Sequence, residues 1–179
     1  EIFIAGQLDG PVNGLQYLGG GSDIYLAKYD VNGFKLWDKA VGNVGSEFPT
    51  DILACSDQTV YLGGYKDNIG FVTKLDSNGK KIWEIDCPSN INSESSLISL
   101  AVGENGSIYA TGSGVGGGVS NIFLWKISAS GDVLWRREIG TDGYDYAYDL
   151  VTSRDGAIYI GGSTQGSLGG QFYSGGGES

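Results

Sequence analysis

Val60-Tyr61-Leu62-Gly63-Gly64 is a short strand that this 179-residue chain writes four times. The other copies are Ile2-Phe3-Ile4-Ala5-Gly6, Ile108-Tyr109-Ala110-Thr111-Gly112 and Ile158-Tyr159-Ile160-Gly161-Gly162. Between copies runs a second phrase, an aromatic strand, a glycine turn and a tryptophan strand. It reads Tyr25-Leu26-Ala27-Lys28-Tyr29-Asp30-Val31-Asn32-Gly33 and then Leu36-Trp37. It returns around Lys74, Gly79 and Trp83, and again around Lys126, Gly131 and Trp135. The three lysines stand 46 and 52 residues apart, and the tryptophans keep the same steps. A period near fifty with several strands per unit marks a propeller or solenoid array.

Each unit resolves into four strands. The second supplies residues 50–55, 60–64, 70–75 and 81–86; the third supplies 97–102, 107–112, 122–127 and 132–138. β-branched and aromatic residues fill these segments, as strands require. Asp57-Gln58, Asn105-Gly106 and Asp155-Gly156 separate first from second strands. Asn-Gly and Asp-Gly predict type I′ turns, which need positive φ twice. Gly33, Gly79 and Gly131 share one turn position between third and fourth strands. Every neighbouring pair is then antiparallel, and a four-stranded meander repeated radially is a propeller blade. The expected fold is an all-β propeller with about 3.5 blades and an incomplete ring. Blade boundaries fall near 1–48, 49–96, 97–146 and 147–179.

Ile52, Leu100 and Leu150 each lie nine residues before the second-strand aromatic, as inward positions of the innermost strand. Trp37, Trp83 and Trp135 sit four residues after the turn glycine and are expected to wedge between blades. Trp125 replaces Ala27 and Thr73 at its repeat position, so it either fills a local gap or stands as a stacking platform.

Composition limits the chemistry. A net charge of −10 opposes nucleic-acid binding, which needs clustered cations. The chain has no His, the commonest general base and transition-metal ligand. No segment approaches the roughly 20 apolar residues that span a bilayer. Glu1 opens the chain without Met or a leader, as expected of a processed or excerpted product. Cys55 ends an innermost strand and Cys87 follows an outermost one, about three strand spacings (~14 Å) away. A disulfide needs Cα atoms within about 7 Å, so none is expected between them.

The phrases D-x-Y-L-A-K-Y-D-x-N-G-x-x-L-W at 23–37, G-T-D-G-Y-D-Y-A-Y-D-L at 140–150 and D-G-A-I-Y-I-G-G-S-T at 155–164 resemble the bacterial SBBP-type β-propeller repeat. The resemblance covers nearly the whole chain. It implies an extracellular or cell-surface propeller, usually within a larger protein and without a shared catalytic centre. The glycine-turn-tryptophan phrase also resembles the pyrroloquinoline-quinone-type repeat, but lacks its Ala-Leu-Asp strand. The short loop at 65–68 and the Cys87-Pro88 insertion depart from blade symmetry.

Three groups remain as candidate sites. Asp9, Asn13 and Asp23 are oxygen ligands that a calcium ion could gather, although the spacing matches no EF-hand. Asp142, Asp145 and Asp149 alternate with Tyr144, Tyr146 and Tyr148. Paired carboxylates can cleave a glycosidic bond, but Asp149 aligns with Asp51, where turn contacts account for it. The tyrosines, with Trp125, form a candidate glycan-stacking surface. Asn105-Gly106-Ser107 is an N-glycosylation sequon on an exposed turn.

The reading is a non-enzymatic extracellular scaffold or interaction module, with no cofactor other than candidate calcium. Its alternative is a carbohydrate- or calcium-binding propeller module. Counting strands, the first unit lacks its innermost strand and the last lacks its outer two. The expected partners are further blades of a longer chain or identical subunits, joined as a ring or filament, and glycans in the alternative.

Overall fold

The computed structural model describes residues 1–12, 14–88, 95–116 and 118–169. Among the described residues the regular structure is strand, in four sheets. The first holds β1 (Ile2–Leu8), β2 (Asp23–Tyr29) and β3 (Lys35–Val41). The second holds β4 (Glu47–Ala54), β5 (Val60–Lys66), β6 (Ile69–Leu75) and β7 (Lys81–Cys87). The third holds β8 (Ser95–Val102), β9 (Ile108–Gly116), β10 (Val119–Ile127) and β11 (Val133–Ile139). β12 (Asp145–Thr152) and β13 (Ile158–Thr164) pair as the fourth. Strands follow chain order within every sheet, and all pairings are antiparallel. The protein is therefore an all-β chain of propeller blades with an unclosed ring. Among the described residues no helix is long and apolar enough to cross a membrane.

The repeated glycine of the second strand has a steric cause. β4, β8 and β12 each carry a bulge that leaves Thr50, Ile98 and Tyr148 without a partner on the adjacent strand. The bulge swings a carbonyl across the neighbouring strand. A Cβ on Gly64, Gly112 or Gly162 would lie only 2.1, 2.1 or 2.2 Å from the carbonyl oxygen of Phe48, Ser96 or Tyr146. Only glycine tolerates that approach. Gly6 holds the same position in β1, yet nothing lies within 4 Å of its Cβ direction.

The core lies between consecutive sheets. Ile24 and Leu26 meet Val60, Leu62, Phe71 and Leu75 at the first junction. Tyr61 and Val72 meet Leu97, Leu100, Ile108 and Phe123 at the second. Ala101, Tyr109 and Leu124 meet Leu150 at the third. Ile52, Leu100 and Leu150 all pack at these junctions. Trp125 is 7% exposed and joins the second cluster. It fills space there and offers no free stacking face.

The turns differ from the dipeptide expectation. Asn105 and Gly106 have φ of 55° and 71°, the double positive φ expected. At Asp57-Gln58 and Asp155-Gly156 only Gln58 (65°) and Gly156 (83°) are positive. These turns add a third residue: Gln58 N–H donates to Cys55 O, and Gly156 N–H to Ser153 O. A type I turn followed by one left-handed residue produces this geometry. Gly33, Gly79 and Gly131 occupy the same left-handed place, bonding Asp30, Asp76 and Ser128. Asp30 Oδ1 and Asp76 Oδ1 then each accept two backbone N–H bonds that hold the loop. A two-residue turn with double positive φ appears instead at Asp67-Asn68, φ 46° and 65°, where Tyr65 and Lys66 continue β5.

Both cysteines are free thiols. Burial pushes the Cys87 thiol up to about 12, with Asp86 adding to the rise. Burial and then Asp57 also raise Cys55, which is less enclosed. A thiolate is the reactive form, so iodoacetamide at pH 8 is expected to label Cys55 well before Cys87 in peptide mass spectra. Equal rates would contradict the burial of Cys87.

Four glycines and Gln58 share the same left-handed turn place. A side chain there costs about 1 kcal/mol. Gln58→Gly is therefore expected to raise stability by about 1 kcal/mol in urea unfolding, with the slope unchanged.

Candidate functional site

The inner faces of the sheets form a repeated ladder that ends at open surfaces. Phe3 pairs with Lys28 and Lys28 with Trp37 across three strands of the first sheet. Tyr61, Lys74 and Trp83 repeat the row in the second, and Tyr109, Lys126 and Trp135 in the third. The aromatic and tryptophan rings lie 6.1, 5.7 and 5.8 Å apart. Each lysine ammonium sits 5.1–5.4 Å from the aromatic centroid of its row, within cation–π range.

The row then engages the next sheet. Lys28 Nζ donates to Ser77 O at 3.3 Å, and Lys74 Nζ to Ala129 O at 3.3 Å. Trp83 Nε1 donates to the same Ala129 O at 3.1 Å. A Cβ on Gly131 would lie 3.0 Å from the Trp83 ring, and one on Gly79 would lie 2.9 Å from Trp37. Each tryptophan therefore covers the turn glycine of the following blade. For Lys126 and Trp135 the described residues supply no such turn, and Lys126 is only half-buried.

The innermost strands carry a polar ladder. Asp51 Oδ2 accepts Leu100 N–H at 2.7 Å, and Ser99 Oγ reaches Asp51 Oδ2 at 3.3 Å and Asp149 Oδ1 at 3.0 Å. Thr50 Oγ1 donates to Leu97 O and Thr152 Oγ1 to Val102 O. Asp51 and Asp149 are thus tied to neighbouring blades, which suits structural linkage.

A different group of acids gathers where the first two sheets meet. Asp23, at the start of β2, is fully buried, and its Oδ2 accepts Leu18 N–H at 2.5 Å. Glu47, at the start of β4, is 3% exposed. Asp23 Oδ1 and both Glu47 carboxylate oxygens lack a hydrogen-bond partner among the described residues. Burial pushes the Glu47 carboxyl above its ordinary value. The backbone N–H of Asn43 partly offsets this without reaching hydrogen-bond geometry, and Asp23, Asp67 and Glu84 add to the rise. The nearby Lys66 ammonium is committed elsewhere, at 2.8 Å from both Glu84 Oε1 and Asp86 Oδ1. A cavity of about 200 Å³ reaches Glu47, Gly42, Asn43, Lys66 and Glu84.

The sequence candidates disperse around this picture. Asp9 is exposed and accepts Gln7 Nε2 at 2.6 Å. Asn13 lies outside the described residues. Asp23 is in place, but the acid it faces is Glu47, which sequence reasoning missed. Its register counterparts are Ser95 and Asp145, so no acid repeats in every unit to flag it. Tyr144 and Tyr146 are exposed and stacked, with centroids 6.3 Å apart and planes at 10°. Asp142 is exposed, while Asp145 is buried and accepts Thr141 N–H at 2.6 Å. Asn105 is exposed on its turn.

The tryptophan rows generate a contrast. Trp83→Ala removes a ring seated on the next blade's turn and is expected to cost about 3 kcal/mol. Trp135→Ala removes the same ring where no described turn covers it, and is expected to cost distinctly less. Chemical denaturation of the two variants measures the difference; equal losses would contradict the role given to the following turn.

No curated protein matches the chain. Ten chains of solved structures do match. One is a crystal structure of a protein of unknown function from Bacteroides caccae, at 1.35 Å resolution. It is 12% identical with a TM-score of 0.57 over 92% of this chain, a likeness that shows the fold alone. The present chain spans about half of that one, 53%. Residues 134–169, from β11 through β13, match the family model SBBP, beta-propeller repeat, and the chain thereby carries an SBBP-type repeat.

Proposed function

We propose that the chain is a non-enzymatic scaffold and interaction module whose open sheets are completed by further blades or by copies of itself. Gly6 carries this reading. In the other three sheets the equivalent glycine makes room for the carbonyl of an innermost strand, and β1 has kept the glycine with nothing against it. β1 is thus an edge strand shaped to receive a partner, the situation that drives strand addition.

The blade faces support the same reading. Ile2 and Ile4 are 48% and 46% exposed, whereas their counterparts Val60 and Leu62 are 1% and 0% exposed. At the other end Tyr159 is 59% exposed, against 2% for Tyr61 and 6% for Tyr109. The two open faces correspond to opposite sides of one blade junction. They can therefore meet head to tail, a heterologous contact that gives a ring or a filament. The proposed setting, outside the cell or at its surface, rests on the sequence resemblance alone.

The stacked Tyr144 and Tyr146 favour a second reading, carbohydrate binding. Tyr146 borders an apolar groove of about 380 Å³ with Tyr65 and Tyr148. A glycan array with wild type and Tyr146→Ala tests it; absence of saturable binding removes it.

Light scattering tests the main reading. The wild-type chain is expected to run as a dimer or larger, not as an 18.8 kDa monomer. Gly6→Val places a side chain where the arriving strand must pass, while meeting nothing within the chain. It is expected to block assembly and leave the circular dichroism native-like, while the melting temperature falls to a value independent of protein concentration. A stable monomeric wild type would sink the proposal.

A further inference from the structure

The first blade junction differs from the other two in one respect. Three pairs of positions correspond in strand register at the junctions: Asp23 with Glu47, Ile69 with Ser95, and Asn121 with Asp145. In the second pair Ser95 Oγ donates to Cys87 O and accepts Gly70 N–H. In the third, Asp145 takes Thr141 N–H and the Thr141 hydroxyl. The protein thus supplies donors to Ser95 and to the one acid of the third pair, where the group left without a partner is the neutral Asn121 Oδ1. At the first junction, two buried acids leave three carboxylate oxygens without a hydrogen-bond partner among the described residues.

Their geometry converges. A methyl group on Gly42 would lie 2.7 Å from Asp23 Oδ1 and 2.8 Å from Glu47 Oε2. Gly42 therefore keeps open a cradle between the two carboxylates, and the adjoining cavity gives it access to water. Two buried negative charges without a counter-charge are costly, several kcal/mol per ion.

We propose that Asp23 and Glu47 bind a divalent cation of the calcium class, which clamps the first blade to the second. The donors are hard oxygens, and the chain contains no His. That chemistry suits calcium, magnesium or manganese over zinc or copper. Calcium's longer bonds, 2.3–2.6 Å against 2.0–2.1 Å for magnesium, and its looser geometry suit two carboxylates held on separate strands. Calcium also accepts six to eight oxygens, so water from the cavity can complete the shell. One ligand comes from β2 and the other from β4, so the ion joins the sheets directly. The inference is independent of the assembly reading, since both acids lie within one chain.

Melting curves of chelated protein titrated with calcium chloride test it. Wild type is expected to rise by roughly 3–6 °C at ten times the dissociation constant. Asp23→Asn and Glu47→Gln are expected to lose this rise, while the charge-matched surface variant Asp142→Asn keeps it. Glu47→Gln removes an unpaired buried charge, so without calcium it is expected to melt at or above wild type. Terbium(III) gives a second readout. Tyr17 lies within the field of Asp23 and Glu47, so tyrosine-sensitised emission is expected from wild type and lost in both site variants. A wild type that neither shifts with calcium nor sensitises terbium overturns the proposal. A calcium shift that persists in both site variants overturns it equally, by placing the ion on the acidic surface.

Discussion

The fold depends on one contact, the seating of a tryptophan on the turn glycine of the next sheet. Trp37 meets Gly79 and Trp83 meets Gly131 so closely that a Cβ on either glycine would collide. The same glycines must also take positive φ to close their turns. Sterics and backbone conformation thus select glycine twice at one position. The lysine beside each tryptophan uses the turn too, donating to Ser77 O or Ala129 O. A row of three side chains on one blade is therefore complete only when the following blade is in place.

This dependence explains why so much of the fold was legible. Repetition marks positions that packing cannot vary, and Lys28, Lys74 and Lys126 marked the register before any coordinates. The bulges were not legible, because an extra residue leaves no signature in a strand of six to eight. Their consequence, the glycine at 64, 112 and 162, was visible as a motif whose cause lay in a neighbouring strand. Turn type was misjudged at Asp155-Gly156 because a dipeptide does not report how many residues the loop holds. There the hydrogen bond from residue four to residue one decided.

The candidate site was half legible for a related reason. Asp23 stood in a polar loop and drew attention, yet the neighbours first assigned to it came from that same loop. Glu47, the buried acid beside it, lies beyond the connection between blades, on an element that sequence proximity does not join to β2. Trp125 broke the repeat and left two readings open, a gap filler or a stacking platform; its burial among Cys87, Leu97 and Phe123 favours the first. In a repeat chain, departure from the pattern first reports a change of packing.

Exposure at the two ends carries the deeper asymmetry. Ile4 and Leu62 occupy the same place in the same strand, and so do Tyr159 and Tyr61; only the neighbouring sheet differs. Their opposite burial means that the apolar face belongs to the repeat and its coverage belongs to the array. Stability here is thus a sum over junctions, and an end without a neighbour forgoes one whole term. The same logic separates the acids. Asp145 is buried with donors provided by its own loop, so it is content within the chain. Asp23 and Glu47 are as deeply buried with three of their four oxygens lacking a partner among the described residues, so their junction leaves charge to be answered from outside.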